Sequence, residues 1–132
     1  MKLADLPAGY TFPPEPLTIT AEEAAAYATA VGDTSPVYAP GPSQQVPPMA
    51  LVAAGVATLV ERLGLAGGSV HVSQEVSLAR PVRPGEVLTQ EIVVKSNSLR
   101  RRTPFATVET TFRDGSGREV AWSSSTIIVT ER

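Results

Sequence analysis

The chain has 132 residues, 42% of them apolar, a formal net charge of −2 and no cysteine. That length suits one domain, the apolar fraction is enough to build a core, and global disorder is excluded. Without cysteine there are no disulfides, thiolate nucleophiles or cysteine-held metals. Residues 1–64 carry two basic and six acidic side chains, and residues 65–132 carry nine and seven. This balance predicts no nucleic-acid partner. No apolar run follows Met1-Lys2, and the richest apolar stretch, Met49 to Leu65, is interrupted by Glu61 and Arg62. Neither a signal peptide nor a membrane span is expected, which points to a cytoplasmic protein.

Residues 1–19 are punctuated by Pro7, Pro13, Pro14 and Pro16, and are expected to run as an extended segment over the surface of a domain formed by residues 20–132. Thr20-Ala21-Glu22-Glu23 is a capping box and opens a helix from Ala21 to about Val31, with Gly32 as its left-handed stop. Residues 33–48 hold five prolines and a glycine, which forbids regular structure and predicts a long loop. Pro48 fits the first turn of a second helix, Met49 to Leu63. Leu51, Val52, Gly55, Val56, Leu59, Val60 and Leu63 recur at helical spacing, with alanines filling most other positions. Such a helix should be buried on nearly all sides. Gly64 and Gly67-Gly68 then break the chain.

Four strand signals follow. From Ser69 to Leu78 the residues alternate, with Val70, Val72, Gln74, Val76 and Leu78 on one face and His71, Ser73, Glu75 and Ser77 on the other. After the turn Arg80 to Glu86 come Val87 to Lys95, Thr103 to Arg113 and Glu119 to Thr130. Asp114-Gly115-Ser116-Gly117 makes a hairpin turn between the last two. One apolar helix followed by an antiparallel meander predicts an α+β domain with a sheet wrapped around a central helix.

These segments resemble the MaoC-like dehydratase/hydratase family. The stretch Tyr27 to Tyr38 (YATAVGDTSPVY) resembles its hydratase loop, and Val46-Pro47-Pro48-Met49-Ala50 its helix entry. Val70 to Glu75, with Ala79-Arg80-Pro81-Val82-Arg83-Pro84-Gly85-Glu86, resembles a strand and the Arg-Pro-x-x-x-Gly-Asp turn that follows it. The match runs from about Leu17 to the C-terminus. The resemblance implies a hotdog fold and acyl-thioester substrates on coenzyme A or a carrier protein. It also implies pairing with a second hotdog chain, identical or different. An Asp and a His of the loop activate water in this family, and a backbone N–H at the helix start polarises the thioester carbonyl. Here Tyr38 stands where the His is expected, as in the FAS1-like dehydratase half-domain, and the loop between Tyr38 and Val46 is shorter than usual.

Asp33 is read either as the surviving half of that dyad or as an Asx-turn residue. Tyr38 is either a pocket hydroxyl or an aromatic lid; as a base it is poor at neutral pH. His71, the only histidine, is either a pocket acid/base or donor, or an edge residue with a local partner. Gln74 either binds a substrate carbonyl or satisfies a neighbouring group. Met49 and Trp122 are candidate lining residues that core or interface packing would equally explain. Arg100-Arg101-Arg102 is either a grip for coenzyme A phosphates or an acidic carrier, or a solvated hairpin tip. There is no glycine-rich phosphate loop, histidine pair or nucleophile elbow, so no cofactor and no metal are expected.

Three functions fit. The first is a repurposed enzyme that holds an acyl or polyketide-type chain in an apolar tunnel for cyclisation or cycloaddition. The second is a non-catalytic partner of a heterodimeric enoyl-thioester hydratase or dehydratase. The third is an active (R)-type hydratase.

Overall fold

The structure is a computed structural model that describes residues 3–63 and 70–128. Helix α1 is Ala21–Ala30 and helix α2 is Pro48–Leu63. The strands are β1 (Glu15–Thr18), β2 (Val70–Leu78), β3 (Val87–Arg100), β4 (Thr103–Arg113) and β5 (Glu119–Ile128). They form one antiparallel sheet in the order β1-β3-β4-β5-β2. This is the α+β hotdog arrangement. The glycine break at Gly64 and Gly67-Gly68 and the strand residues Ser69, Val129 and Thr130 lie outside the described residues.

Residues directly opposite on paired strands share a face, so the register defines rows across the sheet. One face carries Gln90–Phe112–Ala121–Leu78, Ile92–Thr110–Ser123–Val76, Val94–Val108–Ser125–Gln74 and Asn97–Ala106–Ile127–His71, each row running from β3 to β2. The β3, β4 and β5 members of these rows are nearly all buried, and α2 packs over this face. The other face carries Thr111–Trp122–Ser77 and Glu109–Ser124–Glu75.

Three expectations need correction. The N-terminal segment does more than run over the surface: most of its residues are exposed, but it is anchored in the core. Leu3, Leu6 and Phe12 are buried in the core, and Asn97 Nδ2 donates to the carbonyls of Leu3 and Leu6, both at 2.8 Å. Residues 9–12 hydrogen-bond along β3, and Glu15–Thr18 forms β1 beside it. Proline removes a donor but still allows an edge strand. Secondly, the proline-rich loop contains a short 3₁₀ turn, Pro36–Tyr38, with proline at its first position. Thirdly, α2 is not buried on nearly all sides. The sheet covers one side only, and Met49 (46% exposed), Ala53, Ala57 and Val60 (40%) line an open apolar stripe. The terminal strand β2 is open on both faces, leaving Val70, Val72, Val76 and Leu78 exposed.

Among the described residues no helix is long and apolar enough to cross a membrane, and no cluster of three or more His, Cys, Asp or Glu could hold a metal ion.

Candidate active site

The end of α1 builds the first part of the site. Thr20 and Glu23 form the reciprocal capping box, each bond 3.1 Å long. At the other end Gly32 adopts φ +73°, Gly32 N–H donates to Thr29 O at 3.1 Å, and Asp33 N–H donates to Ala28 O at 2.8 Å. This bond pair is a Schellman stop, which glycine permits because it lacks a Cβ. The stop fixes where Asp33 leaves the helix. Asp33 Oδ1 accepts Ser35 N–H at 2.9 Å, an Asx-turn that leads into the 3₁₀ turn carrying Tyr38. Asp33 and Tyr38 therefore line one cavity of about 140 Å³, with Ala25, Ala28, Thr29, Ser35 and Pro40 among its walls. Gln44, buried beneath this loop, donates to Ala21 O at 3.1 Å and Tyr38 O at 3.3 Å and ties the loop to the start of α1.

The second part of the site is on β2. Its pairing with β5 shifts register between His71 and Ser73, which leaves Val72 as an extra residue. Bulges of this kind re-aim a side chain. Here His71 pairs opposite buried Ile127, on the same face as Gln74, Val76 and Leu78. The sequence pattern had assigned it to the face of Ser73 and Glu75. Val70, opposite Ile128, has moved to the other face. Gln74 is half-buried; its Oε1 accepts Ser125 Oγ–H at 2.7 Å, and its Nε2 donates to Glu75 O at 3.4 Å.

Other candidates lie apart from these two groups. Met49 is at the exposed start of α2. Trp122 is on the opposite sheet face from Gln74, its Nε1 donating to Glu109 Oε1 at 3.0 Å. Arg101 and Arg102 form the two-residue β3–β4 turn, with φ +49° and +67°, and are exposed. The side chain of Arg100 lies outside the described residues.

The Arg80–Glu86 turn has a clear structural reason. The Arg80 guanidinium contacts both Glu86 carboxylate oxygens and reaches Asp114 Oδ2 at 3.2 Å. The hydrogen bond from Arg80 holds the Glu86 carboxyl below its ordinary range, and hydrogen bonds from Ser116 and the Arg118 N–H lower Asp114 further still. Gly85, at φ +82°, donates its N–H to Ile19 O at 2.8 Å. The turn thus clamps the β2–β3 connection to the β4–β5 hairpin.

Sequence reasoning missed a set of polar residues on the inward sheet face: Gln90, Thr110, Ser123 and Ser125, all buried. The available signal was Ser123-Ser124-Ser125 in mid-strand, between Val120-Ala121 and Ile127-Ile128, where a buried strand should alternate apolar residues.

A helix laid across an antiparallel sheet, preceded in the chain by a carboxylate-bearing loop and followed by an open edge strand, is the arrangement of a hotdog domain. The family described as "FAS1-like, dehydratase domain region" matches residues 7–122, and the chain belongs to it, within the MaoC-like hotdog proteins. Among solved structures, a MaoC-like dehydratase from Rhodospirillum rubrum superposes with a TM-score of 0.81 at 22% identity, covering 100% of this chain and 98% of that one. An (R)-hydratase from A. caviae involved in PHA biosynthesis gives 0.77 at 23% identity, covering 96% and 98%. The HadBC (3R-hydroxyacyl-ACP dehydratase) complex from Mycobacterium tuberculosis gives 0.78 at 18%, covering 96% and 99%. Identities this low establish a shared fold. No curated protein matches the chain.

Proposed function

We propose that this chain binds an acyl or polyketide-type substrate, carried as a coenzyme A or carrier-protein thioester, in an apolar slot along α2. A second hotdog chain closes the slot. The protein then promotes a reaction such as cyclisation or cycloaddition by holding a reactive conformer rather than by activating water. The observation that carries this reading is the makeup of the loop cavity. It pairs the Asp33 carboxylate with the Tyr38 phenol and has no imidazole, and one oxygen of Asp33 is already engaged by Ser35 N–H. Tyrosine suits donation to a carbonyl better than proton abstraction at neutral pH. On β2, His71 and Gln74 supply further polar groups beside the slot.

The exposed stripe of α2 and the free edge of β2 support closure by a second chain, since an unpaired strand edge flanked by apolar residues is a template for pairing. They also favour a second reading, in which this chain is the non-catalytic partner of a different hotdog subunit. HadBC, which shares the fold, is itself a complex.

The test is to give the purified chain crotonyl and longer enoyl thioesters, and separately a non-hydrolysable acyl-pantetheine. The expected result is saturable binding of the analogue without turnover of the enoyl thioesters. Robust hydration that Asp33→Asn abolishes would overturn the proposal and establish a hydratase. Hydration that appears only when a second hotdog chain is added would favour the partner reading. In the cyclisation assay Tyr38→Phe and His71→Ala should each slow product formation; if neither does, the assigned donors are wrong.

A further inference from the structure

The apolar core is divided. One cluster gathers Leu59, Leu63, Ile92, Val94, Ala106, Val108 and Ile127 with the N-terminal residues Leu3, Leu6 and Phe12. The other gathers Ala50, Leu51, Leu88, Phe112, Val120 and Ala121 with Ile19, Ala24, Val46 and Val82. A run of polar side chains crosses the inward sheet face where the two meet. Thr110 on β4 sits opposite Ser123 on β5, Ser125 lies two residues further along β5 on the same face, and Gln74 faces it from β2. At the inner end Gln90 on β3 is diagonal to Thr110, beneath Thr58 of α2.

This belt opens toward the edge strand. Gln90 is 2% exposed, Thr110 6%, Ser123 4% and Ser125 5%, while Gln74 is half-buried and Val76, opposite Ser123, is exposed. Its inner end has an unmet need. Thr58 Oγ1 donates to Ala54 O at 3.1 Å, so the same oxygen accepts Gln90 Nε2–H at 3.4 Å. With its Nε2 turned to Thr58, Gln90 keeps its Oε1 buried with no hydrogen-bond partner among the described residues. Buried amide oxygens are nearly always satisfied. A slot evolved only for a saturated chain would gain from apolar side chains at these positions, because buried hydroxyls and amides lose hydration without serving an alkyl guest.

We infer that this belt is a specificity site for an acyl chain that carries oxygen atoms along its length, with hydroxyl or keto groups set against Ser123, Ser125, Thr110 and Gln74. The inference rests on the acyl-slot reading above and names the substrate class of that slot. The Ser123 and Thr110 hydroxyls both donate and accept, so they serve either a ketone or an alcohol, while Ser125, whose proton goes to Gln74 Oε1, accepts from an alcohol. Gln74 Oε1 and the free Gln90 Oε1 accept from an alcohol. Sites that hydrogen-bond a guest oxygen reject the analogue lacking it far more strongly than apolar walls reject an added one.

The test uses two probes with a stable amide in place of the thioester, octanoyl-pantetheine and 5,7-dihydroxyoctanoyl-pantetheine, titrated calorimetrically into the full chain. The dihydroxy probe should bind about tenfold more tightly. The Ser123→Ala/Ser125→Ala double variant should bring the ratio to about one or reverse it, with octanoyl affinity kept or improved. Single Ser123→Ala, which leaves the Ser125–Gln74 bond intact, should move the ratio in the same direction and serves if the double variant does not fold. Equal or tighter binding of octanoyl by the native chain, or a ratio that neither variant moves, would overturn the inference and leave the acyl slot standing. Binding of neither probe would overturn both.

Discussion

The central strand of the sheet and one of its terminal strands carry similar sequence patterns and meet different fates. Strand β4 alternates Ala106, Val108, Thr110 and Phe112 on its inward face, and all four are buried. Strand β2 alternates almost as regularly, yet not one of its residues is buried. Position in the sheet makes the difference. β4 has neighbours on both sides and lies among the strands that α2 covers, whereas β2 is terminal and looks past the exposed stripe of the helix. Alternation records which face a side chain takes; sheet order and the presence of another chain decide whether that face is dry.

The largest effect is expected on the closed side. Phe112→Ala should cost about 3–5 kcal/mol in urea unfolding, because the ring is fully buried and Gly55 of α2 packs on it, where an added Cβ would come within 3.1 Å of Phe112 Cζ. A loss below about 1 kcal/mol would mean that this side is not a close-packed core. On the open side Val76→Arg should leave the circular dichroism spectrum and monomer fold intact but abolish dimers in sedimentation equilibrium. Unfolding of that variant would show that the β2 face is core in the single chain.

Smaller changes sharpen the contrast. Arg80→Met should destabilise by about 1 kcal/mol at neutral pH, the modest value expected of a partly exposed ion-pair network. Glu86 and Asp114 both titrate below their ordinary 4.5 and 3.8 in the folded chain. Their contribution is therefore full above those values and is lost as pH falls through the depressed ones. The gap in melting temperature between native and Arg80→Met proteins should narrow as the solution is acidified below pH ~4; a constant gap would remove the clamp as its cause. Thr110→Val should change stability least, by under about 1 kcal/mol in either direction, since that hydroxyl is assigned to a guest rather than to the fold.

Most of the framework was legible in the chain. The capping box at Thr20, the glycine stop at Gly32, Pro48 opening α2 and the strand Thr103–Arg113 all act through local chemistry that one sequence displays. Strand β1 was not legible, because its identity comes from pairing with β3, about seventy residues away in sequence. β3 runs to Arg100, beyond the expected Lys95, because an extra residue at Lys95 lets the strand resume pairing with β4. Within the site, Asp33 and Tyr38 were singled out through the resemblance to the hydratase loop, and that they line one cavity comes from the structure. The face taken by His71 did not, since a bulge depends on a partner strand that local alternation cannot reveal. The polar belt escaped notice for a related reason: its members come from β2, β3, β4, β5 and α2, and only the register brings them together.

The one-residue insertion at Val72 has a consequence for tracing this site through other sequences. Upstream of it, parity along β2 is inverted relative to the residues that follow. In a homologue lacking the extra residue, the residue immediately before the Ser73 position would face inward, where this chain turns inward the residue two before it. Matching such chains without a gap would credit an imidazole to the wrong side of the sheet, whereas deleting Val72 should restore regular pairing with His71 still opposite Ile127 and spare the clamp at Arg80.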